Sequence, residues 1–86
     1  MMYRKENALG LDLIIAEHKG VVMSLCEGDD WISIYTCESE NEGKGYTQEA
    51  IELVKCNFYP KKIFGSVPLN TVMKHIYDKT GVIYEE

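Results

Sequence analysis

The sequence predicts an α+β domain, a mixed sheet of about five strands covered by two helices. Three observations predict it. Residues 11–37 alternate apolar and polar with a period of two, interrupted by turn residues at 18–20 and 27–30. Two later stretches, 47–57 and 70–80, repeat their apolar residues at helical spacing. Between these patterns lies a glycine-rich bend, Glu40-Asn41-Glu42-Gly43-Lys44-Gly45-Tyr46, in the order strand, turn, helix. Such a bend leaves backbone N–H groups unpaired at a helix N-terminus, where an anion can be received.

The elements follow in chain order. Met1 to Leu9 is polar and unpatterned, a short edge strand or a loose arm. Leu11 to Glu17 alternates, with Leu11, Leu13 and Ile15 on one face. His18-Lys19-Gly20 is a tight turn, and Val21 to Cys26 is the returning strand of a hairpin. After the turn Glu27–Asp30, a third strand runs from Trp31 to Cys37. It places Ile32, Ile34 and Thr36 on one face and Trp31, Ser33 and Tyr35 on the other. The first helix, Thr47 to Asn57, carries Ala50, Ile51, Val54 and Phe58 on its apolar face. Glu49 sits in its first turn, where a carboxylate suits the helix dipole.

A fourth strand, Lys61 to Val67, ends at Pro68. Asn70 is a good N-cap for the second helix, whose stripe is Val72, Met73, Ile76 and Tyr77. Gly81 stops that helix, and Val82 to Tyr84 begins a last strand. Strands three and four flank a helix, so they are parallel neighbours through a right-handed crossover.

Composition narrows the function. Eighty-six residues, 45% hydrophobic and 27% charged, make a single soluble domain of modest core. No apolar run approaches membrane-spanning length, and no secretion signal is evident. Cys26, Cys37 and Cys56 suit neither a disulfide framework nor a metal site, so reduced thiols in a cytoplasmic protein are expected. A net charge of −5 argues against nucleic acid and mildly favours a cationic partner, such as an amine or a basic protein segment. An anionic cofactor must then be held by local geometry and not by the overall field.

From about Trp31 to Tyr84 the chain resembles the GNAT superfamily of acetyl-CoA-dependent N-acetyltransferases. The family's pyrophosphate loop, Gln/Arg-x-x-Gly-x-Gly/Ala, is matched by Glu40-Asn41-Glu42-Gly43-Lys44-Gly45. It continues as Gly45-Tyr46-Thr47-Gln48-Glu49-Ala50, much like Gly-Tyr-x-x-Glu-Ala. The family's later strand ends in Val-x-x-Asn and is followed by Tyr-Glu-Lys-x-Gly-Phe. Here the counterparts are Val67-Pro68-Leu69-Asn70 and Tyr77-Asp78-Lys79-Thr80-Gly81-Val82. Two motifs in this order and at this distance are far more specific than a glycine bend alone.

The resemblance implies a GNAT-like sheet and a site for acetyl-CoA. The pyrophosphate would lie on Glu42, Gly43, Lys44, Gly45 and Tyr46, chiefly on their backbone N–H groups. Tyr35, Thr36 and Cys37 would pair with the pantetheine arm, on a strand that splays from the one around Ile63. Asn70 would bond the cofactor near its thioester, and Tyr77 would protonate the departing thiolate. A neutral amine attacks the thioester carbonyl, the C–S bond breaks, and the amine's proton passes to a base. Glu38 and Glu17 are the candidate bases, with Tyr35 third. A bulged strand near Thr36 to Glu38 would supply an N–H to the oxyanion.

The chain departs from the family pattern at Glu40, in place of Gln or Arg, and at Val82, in place of Phe. The usual N-terminal helical unit and the seventh strand are absent from these 86 residues. Either the acceptor or a second copy of the chain, a homodimer joined through the exposed last strand, completes the groove. The alternative is a catalytically silent CoA-binding or protein-interaction module. Simpler readings compete at single residues. Thr47 is a candidate N-cap that would occupy the N–H groups an anion needs. Cys37 is a candidate for inert packing, and His18 and His75 are read as solvated.

Overall fold

The computed structural model describes residues 1–40 and 43–85. Five strands form one sheet in chain order: β1 (Met2–Ala8), β2 (Leu11–His18), β3 (Val21–Glu27), β4 (Trp31–Ser39) and β5 (Lys62–Gly65). Helices α1 (Tyr46–Asn57) and α2 (Thr71–Thr80) follow β4 and β5 respectively. The first four strands are an antiparallel meander, and β5 runs parallel to β4. The chain is thus the mixed α+β domain expected, with no described helix long and apolar enough to cross a membrane.

The five strands are not the five read from sequence. Met2–Ala8 is a regular strand, paired residue for residue with β2. A two-residue turn makes this possible, with Leu9 and Gly10 both left-handed (φ 53° and 78°). Lys19 and Gly20 repeat the device between β2 and β3. The strand expected at Val82–Tyr84 shrinks to one parallel bridge, Phe64 to Ile83. The cause is the end of α2. Gly81 turns left-handed and donates its N–H to Tyr77 O, as does Val82, which drives the Val82 side chain into the core.

The core lies on the helix-covered face of the sheet. Val21, Met23 and Leu25 of β3 and Ile32 and Ile34 of β4 meet Ala50, Ile51 and Val54 of α1, and Tyr77 of α2. On β2 the residue in this core is Ala16, with Ile14 packed beside it. Leu11, Leu13 and Ile15 do share a face, but it is the open one, away from the helices; Leu13 and Ile15 are nevertheless buried there, and only Leu11 is exposed. A second shift arises in β4, where the register slips between Ser24 and Leu25: their partners are Thr36 and Ile34, leaving Tyr35 as the extra residue of a bulge. Thr36 therefore does not share the face of Ile32 and Ile34; its hydroxyl donates to Ser24 on the open face (2.9 Å). Cys37, opposite Met23, takes the inward position instead.

The stripe of α2 is also narrower than its spacing suggests. Tyr77 is buried and Met73 and Ile76 are partly so, but Val72 is 66% exposed. Val72 stands in the first turn of α2, over the opening where β4 and β5 separate. Asn70 caps this helix by accepting the Met73 N–H (2.9 Å). Phe58, just past α1, meets Tyr3 of β1 edge-to-face at 5.7 Å.

Candidate functional site

The site begins where the parallel pair parts. β4 and β5 are in register from Trp31–Lys62 to Ile34–Gly65, and there the ladder stops. β4 runs on to Ser39, so its last residues, from the bulged Tyr35 onward, have no partner in β5. A groove of about 830 Å³ fills the space between this end of β4, the glycine bend and α2. A second cavity of about 330 Å³ occupies the splay itself, among Tyr35, Thr36, Cys37, Val67 and Tyr77. Cys37, Glu38, Leu69 and Met73 line both, which makes them one cleft.

The glycine bend closes one end of that cleft. Gly43 and Gly45 both have left-handed backbones (φ 79° and 76°), and a Cβ on either would meet nothing within 4 Å. Packing does not require these glycines; the turn does. Gly45 is itself the N-cap of α1, and no side chain caps that helix. Thr47 is therefore not the N-cap, because left-handed Gly45 starts the helix one residue earlier than the sequence suggests. The first-turn N–H groups stay uncommitted to any capping side chain beside the cleft. Ser39 adds a hydroxyl that is buried, lines the groove and has no hydrogen-bond partner among the described residues. Glu42, one of the expected contact residues, lies outside the described residues, as does Asn41.

Two adjacent side chains where β2 turns into β3, His18 and Lys19, brace the first turn of α1. Glu49 accepts from Lys19 Nζ (3.0 Å) and lies 2.6 Å from His18 Nε2. Lys19 also stands over the Tyr46 ring at 5.1 Å. The Lys19 and His18 contacts hold the Glu49 carboxyl below its ordinary range. His18 is thus not the solvated turn residue expected; its side chain is 14% exposed. Its partner is 31 residues away in sequence, so no local pattern announces the pair.

The catalytic candidates divide. Tyr77 lines the splay with its ring against Gly65, where a Cβ would come within 2.8 Å of the ring and 3.0 Å of the hydroxyl. Gly65 is therefore the residue that lets this ring lie flat on β5. Burial, with a smaller contribution from Cys37, pushes the Tyr77 phenol above its usual pKa, so it holds its proton at neutral pH. Glu38 lines the cleft. Glu17 does not; it sits on β2, ion-paired with Arg4 at 2.5 Å. Asn70 lines the groove, its Oδ1 already engaged by Met73, so a ligand there meets its amide nitrogen. Leu69, Val72, Met73 and Ile76, which wall the groove, are residues the sequence reading assigned to packing or to nothing.

Cys37 sits in the middle of the cleft. Burial, and then the neighbouring Glu38 charge, push its thiol up to about 11 from 9.0. It is a protonated, unreactive thiol at neutral pH. A pKa raised in the folded state contributes stability that is complete below the unfolded value and lost as pH rises through the folded one. The domain is therefore expected to lose up to about 3 kcal/mol between pH 9 and 11. Urea titrations across that range check this. Cys37→Ala should flatten the slope; an equally steep loss in the variant removes Cys37 as its source.

Compared with known proteins, the chain matches no family model, no curated protein and no solved structure.

Proposed function

We propose that the cleft binds acetyl-CoA and that the chain is a small GNAT-like N-acetyltransferase acting on an amine, either a small molecule or a protein amino group. One observation carries the reading: the splay of β4 from β5 ends at an uncapped helix N-terminus behind a left-handed glycine bend. A strand edge for an amide-rich arm and a donor cluster for a diphosphate thus share one cleft. The fit of the residues supports it. A Cβ on Gly43 or Gly45, both in the lining of the groove, would meet nothing within 4 Å, and the buried hydroxyl of Ser39 beside them has no hydrogen-bond partner among the described residues. Glu38 and the net charge of −5 oppose an anion, so binding depends on the backbone donors.

Acetyl-CoA, when bound, supplies an activated acyl group as a thioester. Gly43, Gly45 and the first turn of α1 hold the phosphates, and the free edge of β4 from Tyr35 to Cys37 aligns the pantetheine amides. The bulge at Tyr35 lies where the β4–β5 ladder has stopped, and a backbone N–H there would be the donor to stabilise an oxyanion. Tyr77 gives its proton to the departing sulfur, and Glu38 is the carboxylate in the cleft that is placed to take one from the amine. Glu17 has no part in this arrangement, since Arg4 holds it on another strand.

Titration calorimetry tests the binding half. The full chain should release heat with acetyl-CoA, and Gly45→Val should weaken binding about tenfold or more, because a β-branched residue resists a left-handed backbone. Absence of heat with both acetyl-CoA and CoA rejects the reading. The second reading, a catalytically silent CoA-binding module, is favoured by one observation. Among the described residues no element covers the face of the sheet opposite the helices, where an amine would be enclosed. Thiol release with a panel of amines separates the two: binding without turnover selects the silent module.

A further inference from the structure

The edge strand β1 has a hydrogen-bonding phase that can be deduced. Its turn to β2, Leu9–Gly10, is a two-residue turn with both residues left-handed, and it makes Ala8 and Leu11 partners. Residues flanking such a turn exchange both main-chain hydrogen bonds, and bonded and non-bonded pairs then alternate along the ladder. Ala8, Glu6, Arg4 and Met2 therefore spend their N–H and C=O on β2. Tyr3, Lys5 and Asn7 point theirs out of the sheet, along an edge whose seven residues are all exposed. This edge has no proline and no bulge; what guards it against indiscriminate pairing is three successive charges, Arg4, Lys5 and Glu6, which admit only a partner whose charges oppose them.

We propose that a second copy of this chain pairs antiparallel with β1, the two-fold axis passing at Lys5 and Arg4 of each copy facing Glu6 of the other. In this register Lys5 bonds Lys5 of the second copy, and Tyr3 bonds its Asn7, so every outward backbone group of these residues finds a partner. The Arg4–Glu6 pairs fall at the non-hydrogen-bonded positions, where opposed side chains approach most closely. Arg4 bonds Glu17 and lies 3.5 Å from Glu6 of its own strand, so the contact with Glu6 of the second copy extends an existing network of alternating charge on the open face. The other registers are worse. An axis at Arg4 or Glu6 sets like charges at closest approach. An axis at Tyr3 or Asn7 shortens the ladder and leaves Arg4 facing Met2, or Glu6 facing Ala8. The chosen register has one cost, two lysines across the axis at the wider, hydrogen-bonded spacing.

The sign pattern is what selects a second copy as the occupant. The outer charges of the strand, Arg4 and Glu6, complement each other when the strand is reversed about Lys5, as a two-fold interface requires, and only Lys5 meets its like. The pairing joins two sheets through β1, not through the segment at Ile83, and it is independent of what the cleft binds.

Sedimentation of the full chain tests it by charge exchange. The wild-type chain should dimerise reversibly. Arg4→Glu and Glu6→Arg should each raise the dimer dissociation constant about tenfold or more, by setting like charges opposite one another. An equal mixture of the two variants should dimerise again, because the reversed charges then face each other across the axis. A wild-type chain that stays monomeric at millimolar concentration overturns the proposal, as does a dimer indifferent to both changes. Should a variant fail to fold, hydrogen exchange of the wild type decides: the amides of Tyr3, Lys5 and Asn7 must gain protection as concentration rises, and constant exchange rejects the interface.

Discussion

Tyr77→Phe is expected to slow acetyl transfer about 100-fold or more while changing acetyl-CoA affinity by less than about twofold. The ring is a core group, buried beside Gly65 and tilted against Tyr84, and phenylalanine keeps that packing. What is lost is one hydroxyl at the splay. Its value lies in holding a proton at neutral pH, which the raised pKa secures. The sign of the pH dependence follows. The donor is present below the phenol's pKa and lost as pH rises through it, so transfer should fall on the alkaline side above the ordinary tyrosine range of about 10. Steady-state rates from pH 7 to 11, with affinity measured separately, check both parts. A variant as fast as the parent takes Tyr77 out of the chemistry, and a variant that loses affinity as well assigns it to binding.

Ile51→Ala is expected to destabilise the domain by about 3 kcal/mol. Ile51 is fully buried in the layer between α1 and the sheet, beside Ala50 and Val54. A chain of this length has a total stability on the order of 4–13 kcal/mol, so the change consumes a large share. Urea unfolding should show a lower midpoint at unchanged slope. Because α1 carries the glycine bend at its start, looser packing should also weaken acetyl-CoA binding. A loss below about 1 kcal/mol shows that the site collapses around the deletion and that α1 is anchored elsewhere.

Much of the fold was legible because its signals are local. Alternation placed the hairpin and β4; helical spacing placed α1 and α2; Asn70 and Gly81 marked the ends of α2. The failures share a physical cause. Leu11, Leu13 and Ile15 form an apolar row, yet a period of two says which residues share a face and not which face the helices cover. The helices chose the side of Ala16. At Tyr35 one extra residue reversed the pleat; the family resemblance implied a bulge slightly further on, near Thr36 to Glu38, while the alternation of the strand itself gave no sign of one. Val72 has the right spacing for a buried stripe but stands over the groove that opens where β4 and β5 part, so it stays exposed.

The candidate site follows the same division. The glycine bend, Asn70 and Tyr77 were readable because each obeys a backbone rule or a motif confined to a few residues. His18, Lys19, Glu49, Ser39 and Gly65 were not, because each acts through a partner brought near only by the folded sheet. Glu17 and Glu38 show the limit most plainly: both are carboxylates near strand ends, and only the pairing of β2 with β1 assigns one to Arg4 while the end of the β4–β5 ladder opens a cleft around the other. Sequence alone determined the elements from Leu11 to Thr80, their order and the place where the backbone must turn left-handed, since these depend on near neighbours; it left β1 undecided and read one bridge at Ile83 as a strand. The tertiary structure decided which face is covered, where the parallel strands part and which side chains meet there, since these depend on contacts between residues tens of positions apart.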